Sequence, residues 1–256
     1  MKFSISGTKT PSHEVFSFGM VTSKGLNVRT WAGAENDLCK TVGPLSQGDV
    51  VGICDKIEDS KGKPWFYVKI GSKFGFVSAG YVYRMSARSY RFMCNLQRYD
   101  KYIKAHNNSF EYVYTASTIS FDAACYDILH GEKADMNCVC PTRWSLRDVG
   151  LSCPGFYGKD GHFKGITSDM KKHLTLIKSG GPVGKTVEQS VEKGLLKPCD
   201  IVCFEDKTHT FSYTGKKCLC WDGGRAAIKN GKYTGIVADY AVANKNRKIS
   251  EILRWK

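Results

Sequence analysis

Residues 137–144 read Asn-Cys-Val-Cys-Pro-Thr-Arg-Trp, and this stretch predicts the start of a helix. Asparagine is a favoured N-cap residue, and Pro141 falls in the first turn, where its missing N–H costs nothing. Apolar residues then recur at helical spacing as far as Val149, and Gly150 closes the segment. Cys138 is therefore expected at about the first helical position, where unpaired N–H groups and the positive end of the helix dipole favour a thiolate.

A histidine further along the chain is a natural partner for this cysteine. His209 opens an alternating apolar and polar pattern that runs to Tyr213 and is typical of a strand. Residues 214–217 are predicted as a hairpin loop, so that Tyr213 faces Cys218 and His209 faces Asp222. Asp222 would then orient the imidazole, although a one-residue slip in register would turn it to the other face. A cysteine at a helix start and a histidine on a later strand together suit nucleophilic catalysis by a thiolate.

Three further stretches carry a family resemblance. Residues 196–202 read Leu-Lys-Pro-Cys-Asp-Ile-Val, residues 209–215 read His-Thr-Phe-Ser-Tyr-Thr-Gly, and residues 112–114 read Tyr-Val-Tyr. Together with Asn137-Cys138, they resemble the motifs of the NlpC-type branch of the papain-like cysteine peptidases. The resemblance extends from about Phe92 to the C-terminus, and within that branch the chain is most similar to forms found in bacteriophage endolysins.

The resemblance implies an α+β papain-like cysteine peptidase domain over residues 87–256. In that domain Cys138 would be the nucleophile and His209 its general base. Tyr112 stands where the family has a tyrosine that lines the active site, and its phenol would donate to a developing oxyanion. The third catalytic group of the family is usually a histidine, and here Asp222 is expected in its place.

The N-terminal third is predicted to be all-β. Short strand patterns alternate with Gly, Asp and Ser turns at intervals near ten residues, which favours a small barrel or sandwich. The stretch Leu26-Asn27-Val28-Arg29 resembles the signature of bacterial SH3-like (SH3b) cell-wall-binding domains, which implies an SH3-like barrel over residues 1–86. Trp65, Tyr67 and Tyr81 are candidates for a substrate-binding groove in it. The alternative for these aromatic residues is that they fill a small core.

The cysteine content argues against a disulfide framework. The chain has 11 cysteines, an odd number, and its N-terminus lacks the apolar core of a signal peptide. The cysteine pairs at 138 and 140, 199 and 203, and 218 and 220 lack the spacing of structural zinc sites, so we expect no metal and no cofactor. No segment has the length of a membrane span. We expect a monomer made in the cytoplasm, which would act on the cell wall after release, as the resemblance implies.

The formal net charge is +14, which favours polyanionic partners. No nucleic-acid-binding motif accompanies the charge, so nucleic acid is not the expected partner. Bacterial peptidoglycan and anionic wall polymers fit the motifs better. The resemblance implies a peptidoglycan hydrolase that cleaves an amide bond of the stem peptide, between D-γ-glutamate and the diamino acid. The alternatives are an N-acetylmuramoyl-L-alanine amidase, a thiol hydrolase acting on other proteins, and a non-catalytic cell-wall-binding protein.

Overall fold

The structure is a computed structural model of the chain. It describes residues 11–34, 37–113, 116, 118–153, 166–205, 209–219, 221 and 245–256, and the backbone of residues 228–229 and 232–233. The contacts divide the chain into two compact units, Met1–Tyr90 and Arg91–Lys256.

The N-terminal unit contains one antiparallel sheet. Its strands are β1 (Ser17–Val21), β2 (Gly25–Arg29), β3 (Thr41–Ser46), β4 (Val50–Glu58), β5 (Pro64–Ile70), β6 (Lys73–Ser78) and β7 (Val82–Met85). The strand order in this seven-stranded sheet is β3-β2-β6-β5-β4-β1-β7. The predicted series of short strands is therefore confirmed. Within the described residues the sheet has β3 and β7 as its two edges, so closure into an SH3-like barrel stays a prediction.

Alternating apolar side chains build the core of this unit, as the period of a half-buried strand requires. The central cluster joins Val21, Leu26, Val28, Leu45, Val51, Ile53, Phe66, Val68, Val77 and Val82. Strand β6 approaches β2 closely at Gly75, because a Cβ atom there would stand only 2.4 Å from Val28 Cγ1. Glycine at this position lets the two strands pack without displacing the core.

The C-terminal unit mixes helices with small sheets. The helix that follows β7 is α1 (Ala87–Ala105), and the others are α2 (Phe121–Leu129), α3 (Cys140–Asp148), α4 (Ser168–His173) and α5 (Val187–Glu192). The strands are β8 (Phe110–Tyr112), β9 (Ala134–Met136), β10 (Leu174–Ile177), β11 (Ile201–Phe204), β12 (Thr210–Tyr213), β13 (Cys218–Leu219), β14 (Ile228–Lys229), β15 (Lys232–Tyr233) and β16 (Ile249–Trp255). This mixed α/β content agrees with the predicted α+β class, whereas the papain-like assignment stays a prediction.

The main sheet of the C-terminal unit has the order β10-β16-β11-β12-β13 and is antiparallel throughout. Alternate side chains of its strands define two faces. The α3 face carries Ile201, Cys203, Thr210, Ser212 and Leu253, and a hydrogen bond between Thr142 Oγ1 and Ser212 Oγ (3.3 Å) joins it to α3. The α5 face carries Val202, Phe204, Phe211, Tyr213 and Ile252, which cluster with Val187 of α5.

Both faces are buried, because each residue of β11 and β12 is buried. On the α3 side, Ser145 Oγ donates a hydrogen bond to the carbonyl oxygen of Phe92 in α1 (2.8 Å), which ties the two helices together. Among the helices that the structure describes, none combines the length and apolarity needed to cross a membrane.

Candidate active site

The turn that carries Cys138 lies between β9 and α3. Asn137 Oδ1 accepts hydrogen bonds from the backbone N–H groups of Val139 (3.0 Å) and Cys140 (3.2 Å). The Cys140 N–H also reaches the Asn137 carbonyl oxygen at 3.2 Å, which closes a turn ahead of the helix. The prediction of Asn137 as the N-cap of the helix is wrong, because α3 begins at Cys140 with Val139 as its N-cap, and the Asn137 side chain instead caps the preceding turn. Cys138 lies in the capped turn, 5% exposed, at the positive end of α3.

Cys140 is the second thiol of this turn and is fully buried. Its Sγ atom lies 3.3 Å from Asn137 Oδ1. Burial raises the pKa of the Cys140 thiol, although its hydrogen bond to Asn137 and the charge of Arg143 oppose the shift. Because only a thiolate is a strong nucleophile, Cys140 is suited to packing the first turn of the helix rather than to attacking a substrate.

Tyr112 lies beside the strand that leads into Cys138. Strands β8 and β9 pair in parallel, with Tyr112 opposite Met136. The Val113 N–H donates to the Met136 carbonyl oxygen at 2.9 Å, which continues the pairing to the end of β9. The phenol ring is half-buried. The fold therefore pairs the strand of Tyr112 with β9, the strand that leads into the turn of Cys138. The role of Tyr112 as an oxyanion donor stays a prediction.

His209 directly precedes β12 and is 4% exposed. Its ring is nearly parallel to that of Phe204, with the ring centroids 6.1 Å apart. Phe204 in turn contacts Phe211, with centroids 5.4 Å apart, and both belong to the apolar cluster of the α5 face. The imidazole therefore lies next to the α5 face.

The position of α3 sets a geometric requirement for a Cys138–His209 pair. Thr142 of α3 contacts Ser212, which points to the opposite face from its neighbour Phe211. A catalytic pair needs the His209 ring within reach of Cys138 Sγ. Proton transfer needs about 2.6–3.2 Å between the heavy atoms, directly or through one water.

The predicted hairpin register is confirmed where the structure describes it. Tyr213 pairs with Cys218 and Ser212 with Leu219, and a hydrogen bond from the Thr214 N–H to the Lys217 carbonyl oxygen (2.8 Å) closes the loop. Asp222, the predicted third catalytic group, lies outside the described residues. Its pairing with His209 stays a prediction.

Glu251 is a buried carboxylate of this sheet that the sequence patterns did not single out. It is 4% exposed and pairs with Cys203 on the α3 face. Lys178 Nζ lies 3.6 Å from its Oε1 atom. The available signal was an acidic residue in a strand beside the apolar residues Ile249, Ile252 and Leu253, since a buried carboxylate has to be compensated.

The Pro-Cys-Asp motif before β11 forms a charged clip. Arg254 Nε donates to Asp200 Oδ1 (2.8 Å), and Arg254 Nη2 donates to Asp200 Oδ2 (2.6 Å). Asp200 is fully buried, and burial raises its pKa while the hydrogen bonds from Arg254 oppose the shift. Cys199 adopts a φ of 72°, in the left-handed region where glycine is the usual residue. The clip fixes the entry to the strand that pairs with β12.

The three aromatic residues predicted to bind substrate occupy different environments in the N-terminal unit. Trp65 is 7% exposed, and its Nε1 atom donates to Asp59 Oδ2 (3.0 Å). It therefore fills a small core, which was the alternative to a role in substrate binding. Tyr67 is half-buried, and its hydroxyl group lies 3.0 Å from His13 Nε2. Tyr81 is 54% exposed. Trp65 and Tyr81 line one cavity of about 510 Å³ together with Lys61 and other polar residues.

Among the described residues, no group of three or more His, Cys, Asp or Glu side chains is placed to hold a metal ion. No family model and no curated protein sequence matches the chain.

Two solved structures show a distant similarity. NlpC2 from Trichomonas vaginalis is 15% identical, with 93% of this chain and 72% of that chain covered at a TM-score of 0.33. NlpC1 from the same organism is 14% identical, with 93% and 69% covered at a TM-score of 0.34. Similarity at this level assigns neither a fold nor a function to the chain.

Proposed function

We propose that the chain is a thiol hydrolase with Cys138 as the nucleophile. The observation that carries the proposal is the turn at residues 137–140. It holds a buried cysteine at the positive end of a helix, capped by Asn137 and beside the strand of Tyr112. Such a position favours the thiolate form. The resemblance to NlpC-type cysteine peptidases suggests the substrate, the stem peptide of bacterial peptidoglycan.

In the proposed reaction His209 accepts the proton of Cys138, and Asp222 orients the imidazole. The thiolate attacks the amide carbonyl carbon, and the resulting oxyanion accepts hydrogen bonds from the Cys138 N–H and the Tyr112 hydroxyl. The C–N bond then breaks as His209 protonates the leaving amine, which leaves a thioester. Water, deprotonated by His209, attacks the thioester, releases the new carboxylic acid and regenerates the thiol. No step needs a metal or a cofactor.

The N-terminal unit is proposed to hold the wall. Tyr81 offers an exposed ring, and Trp65 and Tyr67 lie in the same unit with less exposure. The net charge of +14 would favour adsorption to anionic wall polymers. An endolysin of this kind would be a monomer made in the cytoplasm that acts on the wall after release.

The first experiment is mass spectrometry of the fragments released from purified Gram-positive peptidoglycan. The wild type is compared with Cys138→Ala and, as a matched control on the same turn, Cys140→Ala. We expect new stem-peptide ends from the wild type and the Cys140 variant and none from the Cys138 variant. Ends at the diamino acid identify the proposed endopeptidase, whereas free muramoyl ends identify the amidase. Equal release by the wild type and the Cys138 variant would refute the nucleophile assignment.

The second candidate function is a non-catalytic wall-binding protein, and the observation that favours it is the His209 ring beside Phe204. Alkylation at mildly acidic pH separates the two. An activated Cys138 reacts with iodoacetamide faster than Cys140, because burial raises the pKa of the Cys140 thiol and keeps it protonated. Equal, slow labelling of both thiols, together with intact binding to peptidoglycan, would establish the non-catalytic function.

A further inference from the structure

Helix α3 carries two arginines, Arg143 and Arg147, one turn apart. Residues at this spacing lie about 6 Å apart along the axis and on the same side of a helix. Like charges placed in this way destabilise a helix. The single acidic residue of α3 is Asp148, which accepts a hydrogen bond from the Tyr99 hydroxyl and lies 3.7 Å from Arg98 Nη2. It is therefore engaged elsewhere and leaves the two arginines without a compensating charge on their own helix.

The Nε atom of Arg143 is buried and has no hydrogen-bond partner among the described residues. Arg147 Nη1 donates a hydrogen bond to the carbonyl oxygen of Ile119 (3.3 Å). A buried charged donor left unsatisfied is costly, so an arginine in this state is poised for an acceptor that the described residues do not supply.

Both side chains line one cavity of about 440 Å³, which also includes Ile119, Gly150, Leu151 and Ser152. This volume lies in the range of roughly 300–1,000 Å³ that is usual for small-ligand sites. None of the described residues that line the cavity carries a carboxylate, and the two guanidinium groups are the charged groups among them. A planar guanidinium matches a carboxylate with two parallel hydrogen bonds.

We propose that this cavity binds a carboxylate of the peptide substrate. The proposal rests on the proposed hydrolase for the identity of that substrate, a stem peptide with free carboxylates. Arg143 lies in the first turn of α3, and the turn before that helix holds Cys138. The two arginines would select anionic stem peptides over amidated ones.

The test measures the chemical reactivity of the two arginines and does not depend on catalysis. Full-length Cys138→Ala protein is treated with phenylglyoxal, and the modification rate of each arginine is followed by mass spectrometry. The probes are a stem-type peptide with free carboxylates, the same peptide with these groups amidated, and a glycerol phosphate oligomer. We expect the peptide with free carboxylates to slow the modification of Arg147 by tenfold or more. The same slowing is expected for Arg143 where phenylglyoxal modifies it. The exposed Arg91 serves as the internal control and should react unchanged.

Equal protection by the amidated peptide, or no protection at all, would overturn the carboxylate site. Stronger protection by glycerol phosphate would overturn the assignment to a peptide. If the wild type releases fragments from the wall but the peptide does not protect the arginines, the proposed hydrolase is supported and the carboxylate site is refuted. If the arginines are protected but the wild type releases no fragments, the carboxylate site is supported and the proposed hydrolase is refuted.

Matched substitutions give a second measurement. Arg143→Gln and Arg147→Gln are compared with Arg91→Gln, each in the Cys138→Ala protein, by calorimetric titration with the two peptides. Loss of a charge-assisted hydrogen bond weakens binding by roughly ten- to a hundredfold. We expect this weakening only for the peptide with free carboxylates, and only in the Arg143→Gln and Arg147→Gln variants. An unchanged preference for the free peptide in both variants would contradict the proposal.

Discussion

The two faces of the C-terminal sheet differ in what they contact. On the α3 face a polar contact, Thr142 to Ser212, joins the helix that follows Cys138 to strand β12. On the α5 face an apolar cluster holds Phe204 and Phe211, and His209 lies beside it. Cys138 leads into the helix of the α3 face, whereas the ring of His209 contacts Phe204 of the α5 face. The comparison teaches that the pairing of Cys138 with His209 is the test of the proposed hydrolase.

The largest expected effect comes from His209→Gln. If the imidazole reaches Cys138, loss of this general base lowers kcat for peptide release by about 10²–10⁴-fold. His173→Gln, a half-buried histidine of α4, is the control and should leave kcat unchanged. Full activity of the His209 variant would mean that the ring only packs against Phe204. The next variant would then be Glu251→Gln, which removes the buried carboxylate of the α3 face.

Asp200→Asn tests the clip that fixes the entry to β11. The substitution removes one partner of a buried, bidentate ion pair and leaves the Arg254 charge uncompensated, so we expect a loss of about 3 kcal/mol in the free energy of unfolding. Asp169→Asn is the control, because its pair with Lys172 is exposed and should contribute less than about 0.5 kcal/mol. Urea unfolding measures both variants. Equal effects would show that the clip does not stabilise the unit.

Thr142→Val and Ser212→Ala examine the contact between α3 and its face of the sheet. Each is expected to cost about 1 kcal/mol, because each leaves one buried hydroxyl group without its partner. The double variant should cost less than the sum of the two, since it removes both groups. Thr175→Val, on an exposed position of β10, serves as the control. Strict additivity in urea unfolding would show that the two hydroxyl groups do not interact.

The smallest expected effect is that of Asn137→Ala, at about 1 kcal/mol or less of stability. The variant loses the acceptor for the N–H groups of Val139 and Cys140, so the turn that holds Cys138 loosens. Asn137→Asp keeps the acceptor and should retain stability. The alkylation rate of Cys138 should fall in the alanine variant and persist in the aspartate variant. Equal alkylation rates in the two variants would show that the hydrogen bonds of Asn137 do not affect the reactivity of the Cys138 thiol.

Local patterns in the sequence predicted the parts of the site that depend on neighbours in the chain. The preference of asparagine for capping positions indicated Asn137 as a capping residue, although it caps the turn before α3 and not the helix. The pairing of Tyr213 with Cys218 followed from the loop length between the two strands. The start of α3 was placed two residues early, at Cys138, because the sequence does not show that a closed turn precedes the helix.

Contacts between distant segments could not be read in this way. Trp65 was a candidate for the binding groove, but the Asp59 carboxylate and the surrounding core bury most of it. The unsatisfied Nε of Arg143 has no signature in a single sequence, and the only signal for the buried Glu251 was an acidic residue among apolar neighbours. Each depends on which elements pack against it, and that is decided by the tertiary fold.

The sequence by itself determined the positions of the short strands and the hairpin register, because each follows from propensity and periodicity over a few residues. Only the tertiary structure decided that α3 packs on the Ser212 side of β12 while the His209 ring lies beside Phe204. The physical reason is that a strand presents its residues to two faces, and the face that each helix covers is fixed by long-range packing.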